Sequence, residues 1–75
     1  MYILEITRVN DKLVLEQSSL KSAIALWKCY CEELDCLSAD LYERPYRLNV
    51  PEFDSYSIAH FSRSTGQKWL RLLCL

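Results

Sequence analysis

Three of the four cysteines in the chain, Cys29, Cys31 and Cys36, fall within the ten residues WKCYCEELDC, beside Glu32, Glu33, Asp35 and Lys28. Thiols and carboxylates this close in sequence raise two chemistries, metal ligation and thiol–disulfide exchange. A structural zinc needs four ligands converging at about 2.0–2.3 Å. Helical residues two positions apart point in nearly opposite directions, so Cys29 and Cys31 diverge on a helix. Cys29 and Cys36 would share a helical face, but about 10 Å of rise separates them. That is beyond the roughly 4.4–6.8 Å between Cα atoms that a disulfide spans. No CxxC pair occurs, and His60, the single histidine, has no Cys or His at chelating spacing. The cysteines therefore read as small packing residues on a helix, Cys31 inward and Cys29 outward. Neither a metal nor a cofactor is expected.

The acids of the same stretch carry more information. Glu32, Glu33 and Asp35 are expected in the last helical turn, where the macrodipole disfavours negative charge, and Lys21 sits near the opposite end with the wrong sign. Helix stability alone would reverse both placements. The arrangement points to an acidic helix end that meets a basic protein surface. Tyr42, Tyr46, Phe53 and Trp69 are the candidate aromatic anchors for such a partner. A second constellation is basic and aromatic: Arg44 and Arg47 in YERPYR, with Arg63, Lys68 and Arg71 around Trp69. Aromatics that stack bases and cations that meet phosphates bind single strands, which makes a nucleic-acid-binding module the alternative expectation. Catalytic constellations are weaker. Glu5 and Glu16 could face each other across a hairpin, and His60 lies near Ser57 and Ser62, but no GxSxG elbow is present. A non-enzymatic chain is expected.

The elements that must position these residues follow from periodicity. YILEITRV and KLVLEQ read as two strands, with Tyr2, Leu4 and Ile6 on one face. A two-residue loop at Asn10-Asp11, both tolerant of positive φ, would set Ile6 opposite Leu15 and Thr7 opposite Val14. That register also sets Glu5 against Glu16, a repulsion relieved by a slip of two residues. From a cap at Ser18 or Ser19 to Asp35, the residues Leu20, Ala23, Ile24, Trp27, Cys31 and Leu34 recur at helical spacing, with Tyr30 at the margin. Leu41–Arg44 reads as a short strand edged by Pro45, and residues 45–55 as an irregular loop. YSIAHFS is a strand, RSTG a turn, and QKWLRLLCL a returning strand whose rival is a helix begun by Ser64 and Gln67. Trp69, Leu70, Leu72 and Leu73 would complete the core or an apolar edge. The fold class is α+β: a small single domain, an antiparallel sheet of four to five strands in ββαββ or ββαβββ order, and one amphipathic helix on one face.

Bulk properties bound the partners. The 75 residues are 51% hydrophobic and 25% charged with formal net charge −1, which suits a globular domain and argues against strong generic attraction to polyanions. No apolar run approaches the roughly 18 residues of a membrane span. MYILEITR lacks a basic n-region and LLCL is no prenylation box, so a cytoplasmic chain with reduced thiols is expected. The apolar surplus suggests a partner-binding face or a homodimer formed through the C-terminal strand. The functional expectation is a small intracellular inhibitor or adaptor. A phage-encoded antagonist of a bacterial defence complex is its specific form, carried by size and charge and by no motif.

Overall fold

A computed structural model describes residues 1–44 and 56–71. β1 (Tyr2–Arg8) and β2 (Lys12–Gln17) form a hairpin, α1 (Leu20–Cys31) follows, and β3 (Cys36–Glu43), β4 (Tyr56–Ser62) and β5 (Gln67–Leu70) complete the order ββαβββ. The strands make one antiparallel sheet in the order β2-β1-β3-β4-β5. Both neighbours of β1 run against it, so β2 and β3 are parallel to each other and α1 is the crossover between them. Helix and sheet share one core, and the α+β expectation holds.

The hairpin has an even loop, but its register differs from the Asn10-Asp11 expectation by two residues. Ile6 lies opposite Leu13 and Glu5 opposite Val14, which leaves Glu16 facing Ile3. The loop is Val9-Asn10, closed by the Arg8 N–H donating to the Asp11 carbonyl at 2.8 Å. The slip removes the Glu5–Glu16 repulsion, keeps the leucines on the core face, and frees Asp11 to hold the Arg8 guanidinium. Since no non-glycine residue among the described residues has positive φ, the tolerance of Asn10 and Asp11 for that region is not used.

α1 is capped as expected, Ser19 Oγ accepting the Ser22 N–H at 3.4 Å. It buries Ala23, Trp27 and Cys31, with Leu20, Ile24, Leu26 and Tyr30 at the margins. Its end corrects the sequence reading. The helix stops at Cys31, so Glu33 and Asp35 lie beyond it, and Leu34 is 92% exposed and belongs to no buried stripe. The Glu32 N–H donates to the Cys29 carbonyl and the Glu33 N–H to the Tyr30 carbonyl, tightening the last turn. The cause is β3. This strand begins at Cys36, five residues earlier than expected, with Cys36 fully buried and paired to Arg8. A helix continued to Asp35 would leave no residues to turn the chain back into the sheet.

The core face gathers Leu4, Ile6, Ala39, Leu41, Ile58 and Ala59 beneath Trp27, whose Nε1 donates to the Ala39 carbonyl at 3.0 Å. A bulge between Leu41 and Tyr42 gives β4 one extra residue, Ile58, and both Ile58 and Ala59 join the core. β4 and the turn follow the sequence reading, and the returning segment is a strand and not a helix, though β5 ends at Leu70 and does not include Arg71. Gly66 takes φ +72° in the turn, a region that favours glycine. Trp69 departs from it. Leu70 packs on the core, whereas Trp69 alternates onto the opposite face, 39% exposed. The segment 45–55 and Leu72, Leu73 and Cys74 lie outside the described residues. No helix among the described residues is long and apolar enough to cross a membrane.

Candidate protein-binding surface

Three turns meet at one end of the sheet: Val9-Asn10, Glu32–Asp35 and Arg63–Gly66. Backbone bonds tie them together. The Val9 N–H donates to the Asp35 carbonyl at 3.0 Å and the Arg63 N–H to the Leu37 carbonyl at 2.9 Å. Arg63 also latches the helix–strand turn with its side chain. Its Nε donates to the Cys36 carbonyl at 2.7 Å and its Nη2 to the Glu33 carbonyl at 2.9 Å, while the guanidinium lies 5.4 Å from the Phe61 ring centroid. The guanidinium thus adds two bonds to carbonyls of the connection beyond the helix, where a cation also faces the negative end of the helix dipole.

The charge at this end is therefore sorted. Arg8 binds Asp11 through Nε and Nη2, at 2.6 and 2.5 Å, and reaches Glu33 at 3.6 Å. The ion pair holds the Asp11 carboxyl below its usual range and the Arg8 guanidinium above its own. Glu33 thus faces a cation of its own chain, whereas Glu32 and Asp35 are exposed. Beside them stand three aliphatic side chains in water: Leu34 at 92% exposure, Val9 at 62% and Leu37 at 43%. Leu37 is the extra residue of a bulge between Thr7 and Arg8, which explains its outward turn despite its place in a strand. Exposed aliphatic and acidic side chains on turns tied to one another by backbone and side-chain bonds have the composition of a protein-binding surface.

The remaining candidates lie elsewhere. Tyr42 is on the sheet face away from α1 and donates to Glu5 at 3.2 Å, with the Arg44 guanidinium 5.9 Å from its ring centroid. Trp69 is on the same face, 5.9 Å from the His60 ring, with Arg71 5.7 Å above it. His60 Nδ1 lies 2.5 Å from an Asp40 carboxylate oxygen. One row across that face runs Val14, Glu5, Asp40, His60, Trp69. Lys68 is on the core face, 5.9 Å from the Trp27 ring, and Arg63 is at the turn end. The described cations of the nucleic-acid set are thus divided among three places. Tyr46, Arg47 and Phe53 lie outside the described residues.

Cys29 is exposed and Cys31 buried, as their alternation implied, but Cys36 does not share the outward face of Cys29: it opens β3 and is buried, and all three are unbridged. Burial pushes the Cys31 thiol up to about 11 and raises Cys36 as well. Among the described residues no three Cys, His, Asp or Glu side chains come together as a cation site. Sequence reasoning missed Val9, Leu34 and Leu37. Their only signal is position, since each is an aliphatic residue in or beside a turn, which becomes visible once the helix end and both register shifts are known. Comparison with protein-family models, with curated proteins and with solved structures found no match.

Proposed function

We propose that this chain is a non-enzymatic protein-binding module, an inhibitor or adaptor, that presents its acidic turn end to a basic partner surface. The observation that supports this reading is the exposure of Leu34, Val9 and Leu37 at the same end of the sheet as the exposed Glu32 and Asp35. Aliphatic side chains bury area at the centre of an interface, and peripheral carboxylates accelerate encounter with a cationic partner. The charge change that tests it is E32K/D35K, because Glu33 is already engaged by Arg8. Immobilised wild-type protein should retain a basic protein from cell lysate in a salt-sensitive manner. E32K/D35K and L34D, each folded by circular dichroism, should lose that protein. Retention unchanged by both variants would refute the reading.

A second reading, single-strand binding, has one observation in its favour. Trp69 with Arg71 and Tyr42 with Arg44 form two cation–aromatic pairs on the sheet face away from α1. Stacking platforms of this composition hold bases. Glu5 and Asp40 occupy the same face and oppose a phosphate backbone, which ranks this reading below the first. Quenching of Trp69 emission by an oligonucleotide, relieved by salt and absent in R44E/R71E, would reverse the ranking.

A further inference from the structure

The sheet ends on one side at β2, and the direction of its backbone groups is fixed by the ladder. The Arg8 N–H donates to the Asp11 carbonyl, and hydrogen-bonded and non-bonded pairs alternate along an antiparallel pair. Ile6–Leu13, Leu4–Leu15 and Tyr2–Gln17 are therefore bonded pairs, while Lys12, Val14 and Glu16 turn their N–H and C=O groups away from β1. The bonds from Val9 to Asp35 and from Arg44 to Met1 give the same phase, since they send the odd residues of β1 toward β3. Six residues long, without proline or bulge, β2 thus offers three residues of ladder with no strand partner among the described residues. Their side chains stand on the face away from α1, Lys12 and Glu16 exposed and Val14 57% exposed.

We propose that β2 pairs with β2 of a second copy of this chain, antiparallel about a two-fold axis through Val14, joining two sheets into one of ten strands. The sequence of the edge reads correctly against itself in this register alone. Val14 meets the second copy's Val14, Lys12 meets Glu16 and Glu16 meets Lys12, and all three pairs are of the hydrogen-bonded kind that the outward groups require. Two opposite-charge pairs flank one apolar pair. On the other face Leu13 and Leu15, both only half-buried in the single chain, meet Leu15 and Leu13 of the copy and extend the core. The axis is perpendicular to the sheet, so both helices lie on one side. They leave the seam open, because α1 packs mainly over β3 and β1. Charged residues usually protect an edge, but here their signs complement each other under the two-fold. β5, the other edge, turns outward only Lys68 and Leu70 among the described residues, which carry no such complementarity.

Sedimentation equilibrium of the full chain from micromolar to millimolar concentration tests the pairing. Wild type should show a monomer–dimer equilibrium. E16K places lysine against lysine at both ends of the seam and should weaken the dimer about tenfold or more. K12E/E16K exchanges the signs and should restore it, and within the chain these positions face only Thr7 and Ile3. V14P removes an outward N–H and no bond to β1, so it should yield a folded monomer. A wild-type protein monomeric at every concentration would overturn the proposal. So would a dimer indifferent to E16K and V14P, which would place the contact on another surface such as β5.

Discussion

Trp27 does two jobs at once. Its ring fills the space between α1 and the sheet, and its N–H satisfies the Ala39 carbonyl inside the core. Trp27→Ala should cost about 3–5 kcal/mol through the cavity and the lost indole hydrogen bond, while the Ala39 carbonyl keeps its place in the ladder opposite Phe61. Small domains have about 5–15 kcal/mol in total, so loss of the near-UV signal or a steep fall in urea midpoint is the expected outcome. The thiols give a second prediction. Cys31 titrates near 11 in the folded chain because burial disfavours its thiolate, while an unfolded cysteine titrates lower. Between those values the unfolded state binds fewer protons, so stability is intact below about pH 8.5 and falls as pH rises toward 11. Urea midpoints measured across that range should decline, and C31V should flatten the decline. The Cys31 and Trp27 assignments were legible from the three-and-four spacing, which survives any error at the helix ends. Leu34 continued the same spacing and was misread, because periodicity does not record where the chain must turn.

At the scale of elements, the helix–strand junction depends on a residue distant in sequence. Arg63 donates to the Glu33 and Cys36 carbonyls from the β4–β5 turn, so the acidic turn is shaped by a later hairpin. R63A should cost about 1–2 kcal/mol and raise amide exchange over residues 32–36. R63K should recover little, because an ammonium lacks the planar fork that reaches two carbonyls. Exchange unchanged in R63A would show that the turn holds without the latch. This junction is the part of the candidate site that the sequence concealed. The strands around it announced themselves by alternation, and the Glu5–Glu16 conflict even pointed to the register shift. The early start of β3 left no such trace. Cys36, Leu37, Ser38, Ala39 and Asp40 alternate weakly, and pairing with β1 and β4 makes them a strand.

At the scale of the whole molecule, polarity divides by face and by end. One sheet face is covered by α1, and the other carries the row of Glu5, Asp40 and His60 flanked by Val14 and Trp69. The turn end concentrates exposed aliphatics and carboxylates, a separation that neither composition nor net charge discloses. The expected distribution of a single charged patch on the helix gave way to a patch assembled from three connections. Binding at this end and pairing at the β2 edge would use different surfaces, so E16K should leave partner retention intact while E32K/D35K leaves sedimentation intact.

Because α1 carries the chain over β1 to reach the far side, β1 acquires its second neighbour only after the helix and β3 have been synthesised. During that interval the N–H and C=O groups of Ile3, Glu5 and Thr7 point at nothing, a template for capture by any extended polypeptide nearby. Glu5 sits in the middle of that template with its carboxylate outward. Its replacement by valine should cost the finished fold only the Tyr42 hydrogen bond yet increase turbidity during refolding, so this acid serves the nascent chain as well as the mature one.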